Sequence, residues 1–463
     1  MEQNKKMYGE IFKEREYRKL IFATVINRFG DSVDAIAFTW LVYQITHSAA
    51  WSAIVFALNT LPNVVVQPFA GAIVEKMNKK HVIIATHLLR AVIITLFALL
   101  YRAGLVNALV MAIFTLVITT VESFNLPATS AFTIQVVKKE HMTCGMSLNS
   151  MLGGAASLAG TGAAGVIIAT AGVFAAMMID VVTFAVAAVL ISAMKAGRAK
   201  VTEVARNEAS KTTSEAGETE NKEQSKIEFF LDGFRYVASS RVICNYGLLA
   251  VALNFMLIPI NALQAPIAGE IFKMGGEILS IAGVFAAIGG IAGSALVPIL
   301  SQKLSPLKMI MLGTSLLGAG MLGIALGGVF VGNNIACYVD VAASFFIMMV
   351  AASIIGGTIN IQFMKNADPK YIARAAAVMG ACGTACMPVG SLLLSAVITK
   401  ISTEVILVLC VIFAIAILAI LVFVKPQMEI EEGSLGIKDE KVSAGLGHQA
   451  GILGNSIAEM KAL

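Results

Sequence analysis

Asn27-Arg28-Phe29-Gly30-Asp31-Ser32-Val33-Asp34 places three formal charges inside an apolar run from Leu20 to Ile45. The flanking pieces, Leu20 to Ile26 and Ala35 to Ile45, are each too short to cross a bilayer, which takes roughly 20 residues. Either the run is not a membrane span, or the charges lie within one. In the second case they are functional candidates, because ionisable groups are costly inside a membrane.

Composition decides for the second case. The chain is 57% hydrophobic and only 14% charged, with a mean hydropathy of +0.82. Soluble domains carry about 25% charged residues, so the expected class is an integral membrane protein of several bundled helices. Met1 to Lys19 is polar and charged, and the run after it is too long for a signal-peptide core. The tail is therefore expected in the cytosol, with the first span as the insertion signal. The net charge of +5 does not imply nucleic-acid binding, because the basic residues follow membrane topology. The six cysteines lack zinc spacing and read as small buried hydrophobes rather than disulfides or metal ligands, Cys382 and Cys386 on one helix face included.

Twelve apolar spans are predicted, near 20–45, 51–74, 82–101, 105–126, 146–170, 173–194, 242–268, 278–300, 308–330, 336–361, 373–399 and 403–424. They are too long and too uniformly apolar for barrel strands. With the N-terminus inside, the cytosolic segments before the last span hold 25 Lys and Arg and the outer loops only Arg102, Lys273 and Lys400. This bias sets both termini in the cytosol. The expected fold is an all-α integral membrane protein with twelve transmembrane helices in two pseudo-symmetric six-helix bundles. Its parts are a cytosolic tail 1–19, an N-terminal bundle 20–195, a cytosolic linker 196–240, a C-terminal bundle 241–425 and a tail 426–463. Within the linker, Lys211 to Lys226 is polar and expected to lack fixed structure. Ile227, Phe230, Leu231, Phe234 and Val237 then predict an amphipathic helix on the inner membrane surface.

The halves read as repeats. Val136 to Met142 leads into Ser147-Leu148-Asn149 and a Gly/Ala-rich span, and Lys365 to Tyr371 leads into Ala375-Ala376-Ala377 and another. Internal repeats of this kind characterise secondary transporters, with the binding site between the halves. Five stretches carry a family resemblance. Gly71-Ala72-Ile73-Val74-Glu75-Lys76-Met77-Asn78-Lys79-Lys80 resembles the loop signature Gly-x-x-x-Asp-Arg-x-Gly-Arg-Lys/Arg of the major facilitator superfamily, with Glu75, Lys76 and Asn78 departing from it. Gly160-Thr161-Gly162-Ala163-Ala164-Gly165 resembles the exporters' Gly-Pro-x-x-Gly-Gly, with Thr161 in place of Pro. Arg28-Phe29-Gly30-Asp31, Phe124-Asn125-Leu126-Pro127-Ala128 and the amphipathic helix are similar to the macrolide-efflux and enterobactin-exporter branch.

Asn27, Asp31 and Asp34 fall at i, i+4 and i+7, one helical stripe. At 1.5 Å per residue Asp34 lies roughly 20 Å inside the inner end of the span. Lipid exposure would be prohibitive, so the stripe is expected to face a cavity or another helix. A carboxyl moved between dry and wet surroundings takes up and releases protons. Two roles are open to Asp31, proton carrier or structural partner of Arg28 at i+3. Asp34 has no partner on its own helix and is the first candidate for proton coupling. Glu122 in the fourth span is the second, and a salt bridge to Arg28 or Arg90 is its alternative. Asp180 reads as structural, and Asp340 as placed near the outer mouth. Asn59, Gln67, Asn254, Asn261 and Gln264 are candidates to line a path for an organic solute, or interhelical hydrogen bonds.

The run Gly153 to Gly172 allows close helix approach. The resemblance implies that it meets the eighth span at Gly283 to Gly293. The resemblance also implies a cytosolic gate of Gly71, Glu75, Lys76, Lys79 and Lys80, with Glu75 reaching Arg374 when that side closes. No Gly-x-x-x-x-Gly-Lys-Ser/Thr phosphate loop occurs, so energy is expected from an ion gradient or a partner, and no cofactor is expected. Together these point to a proton-coupled exporter of hydrophobic or amphipathic small molecules, acting as a monomer in the plasma or inner membrane. The competing readings are an exporter of one native metabolite such as a siderophore, a lipid mover, and a membrane sensor that transports nothing.

Overall fold

The computed structural model describes residues 14–137, 142–194, 234–367 and 372–423, and every regular element among them is helical. In lipid the backbone has no water to bond, so an apolar chain satisfies its own amides as helix. Asn78, Asn107, Ser240 and Asn333 start four of these helices, each side chain accepting from a backbone N–H of the first turn. Among the described residues nine helices are long and apolar enough to cross a membrane, or ten if one bent pair counts as a span. Helix α1, Arg15–Thr46, runs unbroken through the charged stretch and falls outside that count. Exposed apolar side chains such as Val92, Leu96, Ile412 and Ile415 form the lipid-facing surface.

The bent pair is α2, Ala49–Val65, and α3, Gln67–Lys76, which meet at 42°. Pro68, in the first turn of α3, cannot donate to the preceding turn, which accounts for the break. Helices α4, Lys79–Arg102, and α5, Ala108–Val136, follow. Helix α6, Met142–Ser192, is interrupted at Gly172, where φ 82° and ψ 169° suit only glycine. A straight helix would set Gly160 and Asp180 roughly 30 Å apart. Both instead touch neighbouring residues of α1. Gly160 packs on the Phe29 carbonyl and Ser32, while Asp180 and Thr183 pack on Gly30. The two arms of α6 therefore fold back on each other as a hairpin.

In the second half of the chain, α7, Arg241–Ala262, ends where Leu263 leaves helical geometry. The sequence suggests one span to 268. Instead Gln264–Pro266 and a π-helical turn at Ile267–Ile271 lead to α8, Glu277–Leu300. Then come α9, Pro306–Leu326, α10, Asn334–Asn366, α11, Ile372–Ile398, and α12, Thr403–Phe423. Helices up to Ser192 pack mainly with one another, as do those from Arg241. The two sets meet where α2 lies on α11 and the first arm of α6 lies on α8. One apolar cluster, including Leu41, Phe97, Val173, Leu263, Phe272 and Ile324, spans both sets at the end bearing Gly172 and the π turn. At the opposite end each set has its own clusters, around Leu20 and Phe132 or around Tyr246 and Ile359. The molecule is thus joined at one end and split at the other. Residues 196–233 of the linker and most of the amphipathic helix lie outside the described residues, as do both tails apart from a few residues. Residues 234–239 are helical.

Candidate functional site

Helices α1, α4 and α5 and the second arm of α6 bring charge to one place. Arg90 on α4, 7% exposed, donates from Nη2 to Asp31 Oδ1 at 3.0 Å. Asn27 Nδ2 donates to Asp31 Oδ2 at 2.7 Å. Glu122 Oε2 on α5 lies 3.9 Å from the same Arg90 nitrogen. The guanidinium sits 4.3 Å from the ring centre of buried Phe184, a favourable cation–π seat. His87, one turn before Arg90, packs on the same ring.

Asp180 is fully buried behind this group. Its Oδ1 accepts from Thr183 Oγ1 at 3.1 Å, and its Oδ2 has no hydrogen-bond partner. Gly30 is what admits it: a Cβ there would overlap Thr183 Oγ1 and lie 2.6 Å from Asp180 Oδ1. The charge of Arg90 thus acts on four carboxyl groups, those of Asp31, Glu122, Asp180 and Asp34.

The expected Arg28–Asp31 pair is corrected. Asp31 is held by Arg90 from another helix, and the exposed Arg28 side chain makes no ion pair within 4.0 Å among the described residues. A cross-helix guanidinium that is itself buried needs the carboxylate more than a residue at the cavity wall does. Among the described residues Asp34 makes no ion pair within 4.0 Å.

Two cavities flank the cluster. One, of about 280 Å³, is lined by Asn27, His87, Asn125, Thr133 and Asn149. The other, of about 440 Å³, is lined by Asp34, Asn59, Thr115, Asn261 and Gln264. Arg28, Asp31, Arg90 and Glu122 border both and form the wall between them. Of the neutral candidates, Asn59, Asn261 and Gln264 therefore join the charged site. Asn254 lines a separate cavity, and Gln67, at the α2–α3 bend, lines none of the three.

Near residues 71–80, Lys80 Nζ donates to the carbonyls of Ser192 and Met194 at 2.8 and 2.6 Å, capping the end of α6. Lys79 Nζ donates to the Glu75 carbonyl at 2.7 Å. Asn78 accepts from Lys80 N, which explains why a capping residue stands there. Gly71 faces open space, and Glu75 and Lys76 are exposed. The side chain of Arg374 lies outside the described residues, so its contact with Glu75 does too. Helix α3, which carries Glu75, packs on α5, whereas α11 packs on α2.

The small-residue motif meets α8 closely. Thr161 Cγ2 fills the notch at Gly283, Gly162 faces Val284, and a Cβ on Gly165 would come 2.8 Å from Ser280 Oγ. The rest of the expected partner stretch turns elsewhere, since Gly289 and Gly293 pack on α10 at Phe346 and Val350. Cys337 is buried as expected, but Cys382 is exposed. Asp340 is half-buried and accepts weakly from Ser344.

At the joined end stands Glu270, which sequence reasoning did not single out. On the π turn, its Oε2 accepts from Thr403 Oγ1, and its Oε1 accepts from Tyr43 OH at 3.4 Å. Gly269 leaves room for the Tyr43 ring, and Gly276 packs on Trp40. Among the described residues no group of three or more His, Cys, Asp or Glu is arranged to hold a metal ion.

The family model of the Major Facilitator Superfamily matches residues 20–391. The chain belongs to the Major Facilitator Superfamily. It is a multi-pass membrane transporter by family rather than an enzyme. Among its relatives, the multidrug efflux pump Tap of Mycobacterium tuberculosis is 25% identical over 259 residues, 53% of this chain and 57% of Tap. The uncharacterised MFS-type transporter YkuC of Bacillus subtilis is 26% identical over 184 residues, 39% of this chain and 42% of YkuC. The chain thus spans about half the length of the curated relatives it matches. Among solved structures, the nucleoside transporter NupG superposes with a TM-score of 0.66 at 13% identity, covering 88% of this chain and 98% of NupG. A bacterial homologue of the iron transporter ferroportin, in an inward-facing state, gives 0.64 at 13% identity over the same shares. At these identities the likeness is one of fold alone.

Proposed function

We propose that this superfamily member is a proton-coupled exporter of amphipathic small molecules, working by alternating access between two six-helix bundles. Counting α1, the α2–α3 pair and both arms of α6 as spans brings the number to twelve. With the N-terminus in the cytosol, the split end is the cytosolic end, and this conformation is read as inward-open. The partial similarity to Tap supports export of drug-like solutes.

The observation that carries the reading is the charge balance around Arg90. Arg90 pairs with Asp31 at 3.0 Å and lies 3.9 Å from the exposed Glu122. Asp180 is buried against Gly30, Asp34 lines the same cavity as Arg90, and Arg28 is the other cation at its wall. Unneutralised buried charge is prohibitively costly, so such groups take protons instead. Protons are then the variable charge of the site. Asp34, without an ion pair and open to the 440 Å³ cavity, is the carboxyl from which a solute can displace one. Asp31, held by Arg90 and Asn27, positions the cation.

In everted vesicles a substrate dye should move with proton counterflow. Asp34→Asn should lower this proton-driven transport by at least about tenfold, a barrier change of about 1.4 kcal/mol, while the dye still binds. Unchanged transport in the variant would exclude Asp34 as the coupling carboxyl.

A further inference from the structure

The third cavity, of about 640 Å³, lies between α7, α10 and α11 at the split end. It is a counterpart of the charged one. Helices α5 and α10 end at Val136 and Asn366, 230 positions apart, and the next helices begin at Met142 and Ile372, again 230 apart. Gly160 and Gly390 keep the same offset, one packing on α1 and the other on α7. With that offset the α5 wall of the first cavity, Leu126, Thr129, Ser130 and Thr133, becomes Gly356, Ile359, Asn360 and Phe363 on α10. Asn149 becomes Met379.

The scaffold is shared, and the chemistry is reversed. Among the described residues no ionisable side chain lines the third cavity. Its polar groups are the amides of Asn254 and Asn360. Asn254 spends one N–H on the Ala250 carbonyl at 2.9 Å, leaving its oxygen and second N–H available. Ligand pockets of drug size run from about 300 to 1,000 Å³ with apolar walls and a few placed polar groups.

We propose that this cavity holds the uncharged, aromatic or alicyclic body of the transported solute, with Asn254 and Asn360 fixing its orientation. The proposal rests on the transport reading above, which supplies the solute. A charged body would find no counter-ion among the described residues there, and each unpaired charge would cost far more than the apolar contacts return. The methionines at 364 and 379 give the wall the adaptability that varied apolar shapes require.

Gly356 and Gly380 provide the test. Both line the cavity, and a Cβ on either meets nothing within 4 Å. A leucine at these points starts from open space at its Cβ and is a better helix former than glycine. Each excluded methylene is worth roughly a fourfold change in affinity. Full-length protein in detergent is titrated with the neutral dye N-phenyl-1-naphthylamine, read by fluorescence. Gly356→Leu and Gly380→Leu should each weaken binding by about tenfold. Gly247→Leu, which also faces open space but lies outside the cavity, should leave binding within about twofold of wild type.

Wild-type affinity in both cavity variants would overturn the proposal. So would a fluorescent phospholipid losing binding in the same variants while the dye does not, which would make the cavity a lipid seat. The outcome also separates the two readings. Dye binding lost in the leucine variants, with no proton-linked dye movement by the wild type, supports the cavity and sinks the transport reading. Proton-linked movement by the wild type, with unaltered dye binding in the leucine variants, overturns the cavity alone.

Discussion

The cavity bordered by α1, α5 and the first arm of α6 and the one bordered by α7, α10 and α11 occupy matching places in the repeat, yet among the described residues one holds charges and the other none. Glu122 corresponds at the 230-residue offset to Ala352, Thr129 to Ile359 and Thr133 to Phe363. Duplication supplies two equal frames. What differs is which side chains were placed on them. Ionisable groups on one side and apolar walls on the other allow a proton and a solute to be handled in separate places. A single helix movement can then sense both.

Arg90→Ala should break the comparison most severely. It removes the buried cation that offsets half-buried Asp31 and fully buried Asp180, and stranding a buried partner typically costs about 3–5 kcal/mol. Thermal unfolding in detergent should fall by several degrees, and transport should be lost. The neutral cavity should keep its dye affinity within about twofold in the variant that remains folded. A collapse of dye binding with an unchanged melting temperature would show that the two sides are not separable.

Gly30→Ala sharpens the same contrast at smaller cost. The added methyl would overlap Thr183 Oγ1 and press on Asp180, and overpacking of this kind costs about 1–3 kcal/mol. Its equilibrium effect, read by thermal unfolding, should be recovered in part by Thr183→Ala, which removes the closest contact but leaves Asp180 Oδ1 at 2.6 Å and the Cβ of residue 183 at 2.8 Å. Failure of that double variant to recover would mean that Gly30 serves something other than the approach of α6.

The stripe Asn27–Asp31–Asp34 was legible because helical spacing alone puts those residues on one face. The family followed from the paired polar loops and the Gly71–Lys80 stretch, which are local signals. The partner of Asp31 was not local. Arg28, three residues away, looked like the natural mate. The actual one arrives from α4, backed by Phe184 on the far arm of α6. That arm reaches α1 because the chain reverses at Gly172, where the sequence already divides the run into spans 146–170 and 173–194; spacing along the chain does not tell which side chains the reversal brings together. Asp180 and His87 were missed as members of the cluster for the same reason. Gly30 offered the available clue, a helix-weakening residue inside a span, which calls for a close neighbour. Glu270 escaped because the apolar run reads on past Ala262 as one helix, while the backbone breaks at Leu263 and tightens into a π turn.

That turn is where the unlike halves are fastened, and it gives the smallest expected effect. Tyr43 belongs to the charged half, and Glu270 and Thr403 belong to the neutral one. Tyr43→Phe keeps the ring in its seat at Gly269 and removes only the hydroxyl. A hydrogen bond to a charged group is worth about 1.5–3 kcal/mol at best. This one is long and exposed at 3.4 Å, so a loss of about 0.5 kcal/mol is expected, from the lower end of that class of interaction. Because the bond crosses between halves, its loss should appear in the balance of conformations rather than in unfolding. In an otherwise cysteine-free background, a cysteine at Asn59 should react about twofold faster with an externally added impermeant thiol reagent, as 0.5 kcal/mol requires. Thr403→Val leaves Tyr43 untouched and acts within one half, so it should change this rate less. An equal change in both variants would make Glu270 a brace of its own half and leave the apolar contacts of Trp40 and Tyr43 as the fastening.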